Sequence, residues 1–134
     1  MTETGNPAAT IGDDLHARGL QTMTAIVSAA FPGGGEMKLR DGKLADEINE
    51  IGVVGVWGAL WSREGLSPRD RSLVTLGILI ALGAEDELAS HVRIGLANGL
   101  TRDELAEVIY HASGYAGFPR AMTARKVARA ALGE

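Results

Sequence analysis

This chain predicts an all-α fold, on three observations. Apolar residues recur at helical spacing in one segment after another, and no segment sustains the period-two alternation of a half-buried strand. The punctuation is helical as well: Ser67-Pro68-Arg69-Asp70 and Thr101-Arg102-Asp103-Glu104 read as helix starts, Gly83 as a helix end and Gly99 as a left-handed stop. Finally, 46% of the residues are apolar but only 4% are aromatic, so the core is built from Ala, Leu, Ile and Val, whose small side chains let helices approach closely.

A length of 134 residues suits one domain, and a single domain over residues 1–134 is expected. Residues 1–12 contain Gly5, Pro7 and Gly12 without periodicity and are expected to form a flexible arm. From about Asp13, the spacing of Leu15, Leu20, Met23, Ile26, Val27 and Ala30 predicts a first helix ending at Phe31-Pro32-Gly33. After a loop over residues 33–42, Leu44, Ile48, Ile51 and Val54 predict a second helix over residues 43–61. Gly52, Gly55 and Gly58 are three apart on one face of that helix, where each lowers helix propensity by about 1 kcal/mol relative to Ala, so a close neighbour is expected there. Trp57 and Trp61 are four apart and share a side, as core aromatics or as a pocket wall.

The third helix begins with Ser67 as cap, Pro68 in the first position and Asp70 placed to return the capping bond. It is apolar on almost all sides from Leu73 to its stop at Gly83, which predicts the central, most buried helix. Arg71 is the charge nearest that buried part and requires a carboxylate or an anionic ligand. A fourth helix over residues 84–98 has Glu85, Asp86 and Glu87 at its positive end. A fifth runs from the Thr101 capping box to near Gly117. Phe118-Pro119 opens a sixth, whose Arg125, Lys126 and Arg129 form a solvated basic face. The short connections predict that helices four, five and six are antiparallel neighbours.

Composition excludes several functions. A net charge of −4 argues against a nucleic-acid partner. Residues 1–65 carry 5 basic and 9 acidic groups and residues 66–134 carry 8 of each, so the second half is the better place for a small anionic ligand. The absence of cysteine excludes disulfides, thiolate metal sites and thiol chemistry. No basic-then-apolar leader opens the chain, and the apolar run over residues 78–82 stops far short of a membrane span, so a cytoplasmic protein without membrane contact is expected.

Glu87 and His91 are four apart, as are Glu107 and His111, so each pair shares a helix face; Tyr115 follows His111 by four. A carboxylate beside an imidazole orients it and raises its pKa, which favours proton donation near neutrality. Such a pair is also a common structural or surface feature of helices. The E-x-x-H spacing of di-iron bundles and the H-E-x-x-H of zinc enzymes are both missing, so neither a metal nor a cofactor is expected.

The motifs W-G-x-x-W-S-R-x-G-L (residues 57–66), R-S-L-V-T (71–75), A-L-G (81–83), E-L-x-x-H (87–91), N-G-x-T (98–101) and Y-A-G-x-P (115–119) occur in this order, and together they resemble the carboxymuconolactone decarboxylase family over about residues 50–130. The resemblance implies an all-α bundle of about six helices, related to alkylhydroperoxidase D, assembled as a homo-oligomer such as a trimer or hexamer. It further implies one of two chemistries. The dithiol peroxidase branch requires two cysteines at positions occupied here by Ala84 and Glu87, so only the cysteine-free branch is compatible. That branch includes the decarboxylase of aromatic catabolism that converts 4-carboxymuconolactone to 3-oxoadipate enol-lactone.

Such a decarboxylation needs no cofactor, because the conjugated lactone carbonyl accepts the electrons left by carbon dioxide. The protein must then supply cations for the anionic groups and one general acid. His91 oriented by Glu87 is the candidate acid, and Arg71, Arg63, Trp61, Trp57, His111 and Tyr115 are the candidate substrate contacts. Two departures point towards a different lactone or enol acid. Ala59 and Glu64 stand where the family's decarboxylases tend to have glutamate and proline, and Arg120, Ala121 and Met122 stand where they tend to have A-S-N. The alternatives are a related non-redox isomerase or decarboxylase in biosynthesis, and a noncatalytic oligomeric binding protein.

Overall fold

The computed structural model describes residues 7–34 and 37–134, with backbone only for residues 7–12. Every regular element among them is helical: α1 (Pro7–Ala30), α2 (Ile48–Gly52), a π-helix (Val53–Trp61), α3 (Pro68–Leu82), α4 (Glu85–Ala97), α5 (Arg102–Tyr115) and α6 (Phe118–Ala131). None is long and apolar enough to cross a membrane. The chain divides into two compact units, one of Met1–Ser28 with Pro32–Gly65, the other of Ala29–Phe31 with Leu66–Glu134.

In the first unit, α1 starts at Pro7, earlier than the spacing predicted. Pro7 occupies the first helical position, where its missing N–H removes a bond that helix could not make anyway. The expected arm is thus helical from Pro7, and residues 1–6 lie outside the described residues. The predicted second helix is replaced by three pieces. Ala45, at φ 62°, lies in a turn in which Asp46 Oδ1 accepts the backbone N–H of Asp41 (2.5 Å) and Gly42 (3.0 Å). Five residues of α2 follow, and then nine residues of π-helix closed by Ser62 N–H to the Trp57 carbonyl (3.1 Å).

The π register changes which glycines meet a neighbour. An i→i+5 ladder widens each turn, so positions four apart converge and positions three apart diverge. Of the three, only Gly58 meets α1 among the described residues: a Cβ there would run into the Leu15 carbonyl oxygen, and one at Gly19 of α1 would run into the Val53 oxygen and lie 2.7 Å from the Gly58 nitrogen. The helices therefore cross backbone to backbone at Gly19 and Gly58. Gly52 and Gly55 meet nothing within 4 Å among the described residues.

The second unit is a four-helix cluster. Ser67 accepts from the Asp70 N–H (3.1 Å), Pro68 opens α3, and Gly83 closes it at φ 66°. The Asp70 carboxylate does not return the bond as expected but takes the Arg69 guanidinium (3.4 Å). Thr101 and Glu104 form the full reciprocal capping box of α5. Gly95 of α4 lets α3 come close, with Leu76 Cδ1 3.4 Å and Ser72 Cβ 3.7 Å from where its Cβ would stand. The buried Ser72 hydroxyl accepts from Asn98 Nδ2 (3.0 Å), which ties the end of α4 to the start of α3.

Two expectations are corrected here. α4 and α5 each pack against α3 and α6 rather than chiefly against each other. The connection between them drives Leu100 into the core beside Gly95, which carries the chain past α3. And α3, though central, is not buried all round: Leu76 and Ile80 are covered, but Val74, Ile78 and Leu82 are 54%, 54% and 67% exposed and make a stripe with a spacing of four.

Candidate functional site

The residues singled out in the sequence fall on both units. In the first, the π ladder brings Trp57 and Trp61 into a stack with ring centroids 5.3 Å apart and planes at 30°, Trp61 buried and Trp57 half-buried. Arg63 is exposed just beyond the end of that helix. The same unit holds a cluster that sequence spacing did not indicate. Arg40 donates to both carboxylate oxygens of Glu50 (2.9 and 3.3 Å), which lowers the Glu50 pKa, and His16 and Glu47 line the same hollow. Arg40 and Glu50 are ten apart across a loop, so no helical period could have paired them.

In the second unit, Arg71 is half-buried in the first turns of α3, and its carbonyl accepts the Thr75 hydroxyl (2.8 Å). Glu87 is exposed in the first turn of α4, and His91 is half-buried one turn on. Burial lowers the His91 pKa, and the neighbouring Glu87 charge, which acts upwards as expected, is the smaller effect. The net direction is opposite to that expected from the pair alone: His91 stays neutral to lower pH than an ordinary histidine.

A groove of about 670 Å³ lies between α3 and α5 of this unit. Its α3 wall is Leu73, Gly77 and Ala81, four apart, and the small residues Gly77 and Ala81 leave the space; this pattern was readable in the sequence and was missed. Its α5 wall carries Glu107, His111 and Tyr115, also four apart. The His111 and Tyr115 rings are 5.1 Å apart at 31°, and Tyr115 is 87% exposed. Glu104, at the near end, is occupied by Arg69 and by the Thr101 N–H (3.1 Å). The structure therefore joins His111 and Tyr115 in one cavity and leaves His91 and Glu87 outside that cavity's lining. No group of three or more potential metal ligands occurs among the described residues. An apolar wall facing an imidazole, a phenol and a carboxylate can hold a small unsaturated molecule and exchange a proton with it.

These helices and motifs define a recognised class. The chain belongs to the carboxymuconolactone decarboxylase family, whose model matches residues 52–130. It is 53% identical over 72 residues to 4-carboxymuconolactone decarboxylase of Acinetobacter baylyi, covering 54% of each chain. It is 38% identical over 78 residues to nitrosuccinic acid decarboxylase of Metarhizium robertsii, covering 58% of this chain and 54% of that one. An uncharacterised 15.0 kDa protein of Paracoccus denitrificans is 36% identical over 85 residues, 61% of this chain and 63% of that one. The chain thus spans between about half and two thirds of the length of these relatives.

Proposed function

We propose that this protein is a cofactor-independent decarboxylase of a small unsaturated acid of the carboxymuconolactone type, working as a cytoplasmic homo-oligomer. The observation that carries the reading is the 53% identity to a protein named 4-carboxymuconolactone decarboxylase, in a chain with no cysteine for the family's other chemistry. The names of two relatives specify acids in which the electron pair left by carbon dioxide can settle on oxygen, in a conjugated lactone carbonyl or in a nitro group. For the lactone, the ring carbon–carboxylate bond breaks, carbon dioxide leaves, and the enolate takes one proton on carbon to give 3-oxoadipate enol-lactone.

The α3/α5 groove has a suitable volume, since small-molecule sites run about 300–1,000 Å³. It offers His111 as the proton donor, Tyr115 beside it, and an apolar α3 wall opposite for the unsaturated body of the substrate. A second reading keeps His91 as the donor, because a histidine perturbed by burial and a neighbouring carboxylate is itself a mark of a functional site. On that reading its lowered pKa confines the protonated, active form to acidic pH. Arg71 and Arg63 remain candidates for the anionic groups of the substrate.

The test is turnover of 4-carboxymuconolactone with carbon dioxide release, in buffer without metal or nucleotide, by the wild type, His111→Ala and His91→Ala. Loss of the donor should lower turnover about 10²- to 10⁴-fold. A wild type inert towards both this lactone and nitrosuccinate would leave the binding-protein alternative in its place.

A further inference from the structure

The groove between α3 and α5 is electrically lopsided along its length. Arg69, in the first turn of α3, pairs with Glu104, in the first turn of α5, so the N-terminal ends of the two helices lie side by side. The groove follows both towards their C-terminal ends, Leu73 to Ala81 and Glu104 to Tyr115, so the helices run parallel. At that end the Arg69–Glu104 pair is internally neutral, and Glu107, one turn further, has no ion-pair partner among the described residues, so the local charge is negative. His111 and Tyr115 follow. The far end is framed by Ala81, Tyr115 and Ala116.

Just past that far end lies an arginine that the sequence reading noted only as a departure from the family pattern. The Arg120 guanidinium lies over Gly83, the residue that closes α3 two positions beyond Ala81; a Cβ at Gly83 would stand 2.9 Å from Arg120 Cζ and would overlap Nη1. Gly83 is at φ 66°, so glycine here serves both the left-handed stop and the room for the guanidinium. Arg120 is exposed and carries no carboxylate partner among the described residues. A cation with five donors thus flanks one end of an apolar groove whose other end is negative.

We infer that Arg120 is a specificity residue: it receives a substrate carboxylate at the α3 C-terminal end of the groove and so orients the ligand, its anionic arm towards Arg120 and away from Glu107, its conjugated body alongside His111. The inference rests on the decarboxylase reading for the identity of the ligand. A carboxylate retained through the reaction would be held by Arg120 while the other is lost. The ligand class is a small unsaturated lactone or enol acid carrying a carboxylate arm.

A butenolide acetate, which lacks the labile ring carboxyl, and its methyl ester are suitable probes, with binding followed by titration calorimetry and by the His111 ring resonances in NMR. Arg120→Lys and Arg120→Gln are compared with the wild type, and thermal melting of each records any effect on the end of α3. The wild type should bind the acid about 10- to 100-fold more tightly than the ester, the span of one or two charge-assisted hydrogen bonds. Arg120→Gln should reduce acid binding to the level of the ester without changing ester affinity, and Arg120→Lys should fall between.

An unchanged acid-to-ester ratio in Arg120→Gln, even with a lowered melting point, would overturn the inference and leave Arg120 a brace for α3. A wild type that bound neither probe, or both equally, would overturn it as well. Turnover of 4-carboxymuconolactone is scored separately. Discrimination lost in Arg120→Gln without turnover in the wild type would sink the decarboxylase reading and keep the carboxylate receptor. Full turnover with unaltered KM in Arg120→Gln would do the reverse.

Discussion

Gly55 and Gly58, three apart in one segment, should respond to alanine with opposite signs. At Gly58 the new Cβ would overlap the Leu15 carbonyl oxygen and lie 3.2 Å from the Val53 oxygen; the obstacles are backbone atoms of α1 and of the π-helix, which cannot rotate aside. Alanine restricts the unfolded chain and so contributes about 0.4–1 kcal/mol of stability wherever it fits. Overpacking against rigid neighbours costs about 1–3 kcal/mol. The balance for Gly58→Ala is a loss of about 1–2 kcal/mol. Gly19→Ala, facing the Val53 oxygen across the same crossing, should lose a similar amount. Gly55→Ala meets open space and should gain a few tenths to about 1 kcal/mol.

Urea denaturation at fixed protein concentration measures all three, with the m-value checking that the unfolding transition is unchanged in kind. If Gly58→Ala equalled the wild type while Gly55→Ala lost more than 1 kcal/mol, the crossing would lie on the other glycine and the π register would be wrong. Should the Gly55→Ala effect vary with protein concentration, its open space is filled by another copy of the chain.

Two further outcomes concern the second unit. Because burial holds the folded-state pKa of His91 below its ordinary value of 6.5, the unfolded chain binds the extra proton first as pH falls; the stability tied to neutral His91 is complete above about pH 6.5 and lost as pH falls through the lower folded value, so His91→Gln should flatten the acid side of a stability–pH curve, and an identical slope would refute this. The exposed stripe Val74, Ile78 and Leu82 should be covered in solution by another copy, so light scattering should report a trimer or larger for the wild type and a smaller species for Ile78→Asp; a wild-type monomer at micromolar concentration would remove the oligomer.

The parts of the fold legible in the sequence were those decided within a few residues. The Ser67 and Thr101 caps, the Pro68 start and the Gly83 stop are local contests between side chain and backbone, and they form as read. The π-helix was not legible, because the spacing of Ile48, Ile51 and Val54 fits an α-helix equally well, and the register shows in backbone geometry, in the Ser62 N–H to Trp57 carbonyl bond and the crossing at Gly19 and Gly58. The sign of the His91 shift was missed for a related reason: Glu87 is visible at a spacing of four, whereas the burial that outweighs it comes from packing.

The motif residues divide in the same way. Asn98 and Thr101, conspicuous in the family pattern, prove to be framework: Asn98 holds α4 to Ser72 and to the Pro68 carbonyl (3.4 Å), and Thr101 caps α5. Residues of that kind preserve a scaffold whatever acid it serves, so agreement at such positions carries family membership and little about substrate. Discrimination among acids must then come from side chains that face a cavity or its mouth and are not needed to close the helices. Arg120 meets that description more fully than the matching motifs do, since it departs from the family pattern, is exposed, and adds a charge over Gly83, two positions beyond Ala81 at the end of the groove. The departure that first counted against one particular substrate is therefore the position from which the substrate can be sought.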